Sequence, residues 1–190
     1  MKSFCLIMAL FFLTIKDATA SIYSQYSLGY DSEKASLSSS NSSYSRMQNI
    51  LFFGANVDTK KKLIFGWNFY LWSRSQVSGT AGTTDKVALT ELGPRITYFF
   101  NDERNFYLST AIHPYVKGTV TGTTSEKVSG SGYFASVGYQ LKCSRSIYFG
   151  ASLNYQSTSL DKSTVGTTES TVSYKYTFIY PLIEISMRFR

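Results

Sequence analysis

The sequence predicts an all-β protein, an eight-stranded antiparallel up-and-down transmembrane β-barrel that follows a cleavable signal peptide. Eight segments alternate apolar and polar residues, and the connections between them are alternately short and long. Aromatic residues are abundant, with 15 Tyr and 14 Phe, whereas no segment after the first 20 residues has the apolar character of a transmembrane helix. Alternating strands with an aromatic-rich apolar face are typical of barrels whose outer surface meets lipid.

The first 20 residues have the organisation of a secretory signal peptide. A positively charged start precedes an apolar run over 4–15, and residues 18–20 (Ala-Thr-Ala) are the small residues that signal peptidase accepts. The apolar run is shorter than the roughly 20 residues that a membrane-spanning helix needs. We therefore expect cleavage before Ser21, with 21–190 forming one barrel domain. An uncleaved N-terminal anchor is the alternative.

Each predicted strand has a period of two, which places alternate side chains on opposite faces of a sheet. In the seventh strand, the odd positions from Ile147 to Tyr155 suit lipid, and the even positions from Tyr148 to Gln156 suit a polar or tightly packed interior. A soluble lipocalin-like barrel would carry its apolar face inward instead. The predicted strands are 22–30, 46–58, 63–76, 87–100, 105–118, 128–141, 147–159 and 172–189.

The connections predict the orientation of the barrel. Compact charged turns alternate with longer segments that are rich in Ser, Thr and Gly. With eight strands, both termini fall on the side of the short turns, which in such barrels is the periplasm. The short turns are 58–62, 101–105 and 142–146, and the longer segments are 31–45, 77–86, 119–127 and 160–171.

Eight strands enclose a lumen that side chains just fill. An isolated charge inside it would cost many kcal/mol, so buried charges must be paired. We therefore expect carboxylates and guanidinium groups to form a network that plugs the lumen, with Arg95 and Glu184 at similar heights; a gated ion path is the alternative. The inward-facing set consists of Arg46, Glu91, Arg95, His113, Lys117, Glu184 and Arg188.

Three prolines fall inside predicted strands, all on the outward phase. Pro94, Pro114 and Pro181 each remove a donor from the hydrogen-bond ladder, and proline is normally excluded from strand interiors. We expect a local bulge or bend at each of them. Beyond such a bulge the inward and outward positions can exchange, and a change of phase is considered near Pro181 in particular.

The composition argues against several other functions. The formal net charge is +7, yet the basic residues are scattered along the chain, so we expect no nucleic-acid binding. After cleavage Cys143 is the one remaining cysteine, which excludes an intramolecular disulfide. The single His113 cannot build a Cys/His metal site. We expect no metal ion and no cofactor.

The C-terminal strand carries a family resemblance. Apolar residues alternate from Ile183 to Phe189, which ends the strand with an aromatic residue. Together with the leader, the four hairpins and the short turns, this pattern resembles the small outer-membrane barrels of the OmpA/OmpX type. The resemblance implies a bacterial outer-membrane location and makes Met187 and Phe189 the signal that the barrel-assembly machinery recognises. Arg190 adds a residue past the aromatic, and Glu184 stands where glycine is often found.

Such barrels have varied functions, because a fold does not fix a function. The leading hypothesis is a non-enzymatic, monomeric barrel with a structural or surface-interaction role, whose loops meet an extracellular ligand. A narrow pore for ions or small solutes is the second. A lipid A-modifying enzyme is the third, because such barrels use a His with a Ser and an acid, and His113 and Ser109 share a face here. A single His among many serines is a poor signal for a triad.

Basic residues flank the longer predicted loops. They contact the phosphates of outer-membrane lipopolysaccharide in one interpretation, and in the other they are solvated residues beside the hydrophobic belt. These residues are Lys34, Arg74, Lys86, Lys127 and Lys162.

Overall fold

A computed structural model of the protein describes residues 21–34, 43–77, 84–122 and 124–189. The predicted signal peptide lies outside these ranges. The described residues include no helix that is long and apolar enough to cross a membrane. The strands are β1 (Ile22–Lys34), β2 (Ser43–Asn56), β3 (Leu63–Val77), β4 (Thr84–Phe99), β5 (Phe106–Thr121), β6 (Ser125–Lys142), β7 (Ile147–Val165) and β8 (Thr168–Phe189).

The eight strands form a closed barrel in chain order, and neighbouring strands are antiparallel. β1 and β8 close the ring through seven residue pairs, from Ile22↔Phe189 to Leu28↔Ile183. The other neighbouring strands pair over longer stretches. A closed ring pairs backbone groups that would otherwise be unsatisfied in a lipid environment. The predicted fold class, an all-β barrel of eight antiparallel strands, is confirmed.

The short connections lie where the sequence predicts them, at 57–62, 100–105 and 143–146. All three lie at the same end of the barrel as Ser21 and Phe189, and we call this the turn end. The opposite end, at which β1 leads towards β2, β3 towards β4, β5 towards β6 and β7 towards β8, is the loop end.

Two of the long loops predicted from sequence are mostly strand. β5 and β6 connect through 122–124, and β7 and β8 connect through 166–167, so most of 119–127 and 160–171 extends the hairpins. The predictions were wrong because Ser/Thr-rich segments also pair well across strands. Gly166, with a φ of 62°, supplies the left-handed conformation that a two-residue hairpin turn requires.

The distribution of side chains is the inverse of that in a soluble protein. Large apolar residues lie on the outside: Ile179 is 68% exposed, Ile112 61% and Ile183 60%. Polar residues such as Glu91 and Arg95 are buried inside the ring. Exposing so many aliphatic and aromatic side chains to water would be strongly unfavourable, whereas lipid accommodates them. The barrel therefore has the surface of a transmembrane protein.

A bulge in β5 changes which of its residues face the lumen. The register with β6 jumps between His113↔Gly132 and Val116↔Gly130, so β5 contains one extra residue at Pro114 and Tyr115. His113 and Val116 are both buried, although three positions separate them. The ladder between β4 and β5 is interrupted at the same height, between Leu92 and Arg95, a stretch that contains Pro94.

This bulge corrects one sequence prediction. Lys117 was expected in the lumen, but it is exposed on the outside, with its ammonium 5.1 Å from the centre of the Tyr115 ring. The phase extrapolated from His113 is wrong here because the extra residue shifts every later position of β5 to the opposite face.

Pro181 produces neither a bulge nor a change of phase. It pairs with Leu153 in regular register, and Tyr180 and Leu182 on either side are both buried. The ladder between β1 and β8 ends at Ile183, and Pro181 lies on the loop-end side of that residue, where β8 no longer pairs with β1. The expected bulge is absent for this reason. A proline is tolerated where a strand lacks a hydrogen-bonded neighbour on one side.

Candidate functional site

A hydrogen-bonded network crosses the middle of the lumen between two apolar clusters. One cluster fills the lumen towards the loop end and includes Tyr70, Trp72 and Leu89. The other lies towards the turn end and consists of Tyr23, Phe52, Ile64, Phe99 and Tyr107. The charged residues predicted for the lumen are divided among the central network and the two ends.

Glu91 is the acceptor at the centre of the network. Its Oε1 accepts hydrogen bonds from Trp72 Nε1 (2.8 Å) and Thr158 Oγ1 (2.6 Å). Its Oε2 accepts from Gln156 Nε2 (2.6 Å) and faces His113 Nδ1 (2.8 Å). Four donors satisfy the carboxylate, which is the condition for keeping a charge in a buried site.

Gly132 on β6 makes room for this carboxylate. A Cβ at that position would lie 2.4 Å from Glu91 Oε2 and 3.2 Å from Gln156 Nε2. A side chain there would therefore displace the acceptor or its donor. The absence of a side chain on β6 is part of how the site is built.

His113 links Glu91 to the rest of the network. Its Nδ1 lies beside Glu91, and its Nε2 lies 3.0 Å from Asn68 Nδ2, which is a donor. The pattern assigns a neutral ring with the proton on Nδ1 and the acceptor at Nε2. Both ring nitrogens are thus occupied by protein partners. Ser109 does not contact the ring; its hydroxyl lies 3.0 Å from Arg95 Nη2 and 2.7 Å from Thr97 Oγ1.

Arg95 is held by neutral groups. Its guanidinium donates to Asn68 Oδ1 (3.3 Å), Gln25 Oε1 (2.9 Å) and Ser109 Oγ (3.0 Å). Among the residues that the structure describes, no carboxylate lies within ion-pair distance of it. Its charge is instead placed over the ring of Phe52, with 4.6 Å from Cζ to the ring centre. A cation over an aromatic face is stabilised by the quadrupole of the ring.

Glu184 therefore does not pair with Arg95 directly. Its carboxylate accepts hydrogen bonds from Ser27 Oγ (3.3 Å), Ser152 Oγ (2.6 Å) and the Tyr107 hydroxyl. The connection to Arg95 runs through Gln25, whose Nε2 donates to the Tyr107 hydroxyl at 3.1 Å and whose Oε1 accepts from Arg95. Opposite charges are joined through neutral side chains rather than through contact.

Two of the predicted lumen residues lie apart from this network. Arg46 forms a bidentate pair with Asp31 at 2.9 Å towards the loop end and stacks on Phe178, 4.1 Å from the ring centre. Arg188 lies at the turn end, where its guanidinium stacks on Tyr148, 3.9 Å from the ring centre. The structure thus places four of the seven predicted residues together, Arg46 and Arg188 inside but separate, and Lys117 outside.

The sequence analysis missed most of the neutral members of the network. Gln25, Asn68, Tyr107, Gln156 and Thr158 all occupy buried positions. Each of them occupies an inward position of its strand in the alternating pattern. The period of two in the sequence was therefore the observation that could have identified them. Charge is a poor guide to the members of this network, because neutral amide and hydroxyl groups form most of its hydrogen bonds.

Met187 and Phe189 point outward at the turn end of β8 and are 41% and 48% exposed. Phe189 pairs with Ile22 at the closure of the barrel. Their part in assembly stays a prediction. No group of three or more His, Cys, Asp and Glu residues with metal-binding geometry occurs in the described part of the chain.

The sequence matches no protein-family model and no curated protein. The fold is a small closed membrane barrel. Among solved structures it is similar to Neisserial surface protein A, with a TM-score of 0.45 and 13% identity over 90% of this chain and 97% of that one. It is also similar to the translocator domain of the autotransporter NalP from Neisseria meningitidis, with a TM-score of 0.43 and 11% identity over 97% and 68%. A third similar structure is the transport unit of the autotransporter AIDA-I from Escherichia coli. Its TM-score is 0.36 and its sequence identity is 10%, over 91% of this chain and 76% of that one.

Proposed function

We propose that this protein is an integral barrel of the bacterial outer membrane, with a structural or surface-interaction role and no enzymatic activity. The observation that carries the proposal is the inverted distribution of side chains around a closed ring. Apolar residues cover the outside, and polar and charged residues form a bonded network inside. Closed antiparallel barrels with this inversion are the β-structures that span outer membranes.

The packing of the lumen favours this role over conduction. Tyr70, Tyr107, Phe52, Phe134 and Arg95 are each less than 2% exposed within the ring. An aqueous path requires a larger barrel or a lumen free of bulky side chains. The central network supports the barrel wall from inside, as polar packing that locks the strands together.

The loop end offers the surface for an extracellular ligand. The β7–β8 hairpin ends in Gly166, and residues 166–171 are all exposed. Lys162 and Glu169 form an ion pair across it, with 3.0 Å between Nζ and Oε1. A long paired hairpin with a polar surface holds its side chains in a fixed arrangement, which suits recognition of a partner outside the cell.

Other partners follow from a membrane location. The outer surface would contact outer-membrane lipids and lipopolysaccharide, with Lys86 and Lys127 exposed near the loop end. Met187 and Phe189 would guide insertion by the barrel-assembly machinery. A closed barrel satisfies its own backbone, so we infer a monomer.

The orientation can be tested with a short peptide tag inserted at one of two connections. A tag between Gly166 and Thr167 should be labelled by antibody on intact cells, because the proposal places the loop end outside. A tag after Ser144, in a turn of the opposite end, should be labelled after permeabilisation alone. Both tagged proteins should run differently on gels when boiled and unboiled, as folded barrels do. The reverse labelling pattern, or recovery of the wild-type protein in the soluble fraction, would refute the proposal.

A further inference from the structure

A cavity of about 880 Å³ opens at the turn end of the barrel, and we call it the basin. The turns 57–62, 100–105 and 143–146 contribute to its wall, together with Ser21 and the end of β8. Five cations and two carboxylates line it. The cations are Lys61, Arg104, Lys142, Arg145 and Arg188.

Both carboxylates of the basin are held by other residues. Asp102 forms an ion pair with Lys62, which is not one of the five lining cations. The hydrogen bond from the Lys62 ammonium lowers the pKa of the Asp102 carboxyl, which therefore stays ionised in this pair. Glu103 Oε2 accepts a hydrogen bond from Asn105 Nδ2 at 2.8 Å. Among the described residues, none of the five lining cations has an ion-pair partner.

Two of the cations are held in an unfavourable backbone conformation. Lys61 and Arg104 each have a φ of 57°, and they are the non-glycine residues with positive φ in the described part of the chain. They occupy equivalent positions in two turns: Lys61 N donates to Asp58 O (3.2 Å), and Arg104 N donates to Asn101 O (3.1 Å). Glycine is the residue that suits this conformation. Backbone strain at non-glycine residues is concentrated at functional positions.

The two strained residues and Arg188 contact one another. Arg104 Nη1 donates to Lys61 O at 3.4 Å, and Arg188 Nη2 donates to Arg104 O at 2.6 Å. Arg188 forms the floor of the basin, where it is 8% exposed. Its Nη2 also donates to Gln140 Oε1 at 3.3 Å, and its guanidinium stacks on the ring of Tyr148. No carboxylate of the described residues pairs with this guanidinium, so an anion in the basin would be attracted by its positive charge.

We propose that the basin binds a multivalent oxyanion of the phosphate class, held by Lys61 and Arg104 above the floor formed by Arg188. Guanidinium and ammonium groups that converge on one cavity suit phosphate, which accepts several charge-assisted hydrogen bonds at once. The phosphate can come from a free phosphate compound or from the headgroup of a membrane phospholipid. These two sources share the chemistry and differ in the environment that presents it.

The test uses the full barrel purified in a neutral detergent at low ionic strength, with inorganic pyrophosphate as the probe in isothermal titration calorimetry. Wild-type protein should bind one pyrophosphate per barrel. The double variant Lys61→Gly/Arg104→Gly should bind at least about tenfold more weakly, since two charge-assisted contacts are lost. Its thermal stability should be equal or higher, because glycine relieves both strained positions.

The matched control is Lys127→Ser/Lys175→Ser, which removes the same formal charge from exposed sites outside the basin. It should bind pyrophosphate as the wild type does. An absence of saturable binding by the wild type, or an equal loss in the control, would overturn the proposal. Either result would leave the membrane location untouched, since that is tested by fractionation and labelling.

The source of the phosphate is resolved by repeating the titration in lipid nanodiscs. Discs of phosphatidylcholine alone are compared with discs that also contain phosphatidylglycerol. The basin is assigned to lipid headgroups if the wild type binds pyrophosphate more weakly in the anionic discs than in phosphatidylcholine discs. The double variant should then bind pyrophosphate no more weakly in the anionic discs than in the phosphatidylcholine discs. Equal binding in both discs assigns it to a free phosphate compound.

Discussion

Glu91 is the residue on which the interior of the barrel depends most. Its carboxylate on β4 accepts hydrogen bonds from three other strands. The donors are Trp72 on β3, His113 on β5, and Gln156 and Thr158 on β7. One side chain thereby links strands on opposite sides of the lumen. Removing its charge leaves several buried donors without an acceptor, and an unpaired buried donor is costly.

Glu91→Gln should destabilise the barrel by about 3 kcal/mol, the usual cost of breaking a buried charged network. The amide nitrogen of glutamine would face donors that need an acceptor. Urea unfolding in lipid vesicles, followed by tryptophan fluorescence, measures the change, and Trp72 reports on the site directly.

The control for this variant is Glu169→Gln, at the exposed ion pair with Lys162 near the hairpin tip. It should unfold at the same urea concentration as the wild type, because exposed ion pairs contribute little. Equal stability of Glu91→Gln and the wild type would show that the network does not support the barrel.

The bulge in β5 sets which of the later residues of that strand face the lumen and which face outward. Because Pro114 and Tyr115 occupy a single ladder position, Val116 is buried and Lys117 is exposed. If the same residues followed strict alternation from His113 with no bulge, Tyr115 and Lys117 would face inward and Val116 outward. An unpaired ammonium would then enter the apolar cluster of Trp72 and Leu89.

Deletion of Tyr115 should therefore be tolerated, because Pro114 would then be followed directly by Val116 facing inward and Lys117 facing outward, and the boiled and unboiled samples should still differ in mobility. Val116→Lys should abolish that difference, because it places an unpaired ammonium at the inward position among apolar side chains. Failure of the deletion variant to fold, or normal folding of Val116→Lys, would contradict this description of the bulge.

The seam between β1 and β8 is the shortest ladder of the barrel. Its pairs end at Leu28↔Ile183, although β1 continues to Lys34 and β8 begins at Thr168. Gly29 lies where a Cβ would be 2.3 Å from Leu182 Cδ2. The strands are close at the end of the ladder and unpaired beyond it.

Paired cysteines can locate the end of this ladder. In a Cys143→Ser background, Tyr26→Cys with Ile185→Cys should form a disulfide, because the two residues are direct partners. Tyr30→Cys with Pro181→Cys, beyond the last pair, should crosslink far more slowly. Gel mobility without reductant measures both. Equal crosslinking would show that the ladder continues past Ile183.

The whole molecule is a closed wall around a filled interior. Two apolar clusters and the polar network between them occupy the lumen from the turn end towards the loop end. A barrel of eight strands encloses space for side chains and little more. We propose that packing of this kind conducts no ions.

Planar bilayers containing the purified protein should therefore show no discrete conductance steps in concentrated salt. A large-diameter porin inserted into the same bilayers serves as the positive control. Reproducible steps from the wild-type protein, absent after heat denaturation, would favour the narrow-pore hypothesis over the structural one.

The number of strands, their antiparallel order, the short turns and the outward apolar face could all be predicted from the amino-acid sequence. Each of these follows from local information: a period of two, and turn residues between alternating segments. The tight hairpin at Gly166 was missed, because strand pairing rather than composition sets where a Ser/Thr-rich strand ends.

Which inward side chains contact one another could not be predicted from local sequence and depends on the closed barrel. Glu91 and Thr158 are 67 positions apart, and their contact depends on how the strands are staggered when the ring closes. The same holds for the basin, where three turns converge with Ser21 and the end of β8. Alternation predicts the face on which a side chain lies until a bulge reverses it, as at Lys117. The partners of that side chain depend on the closure of the ring and on the bulges, because these set the register of every strand pair.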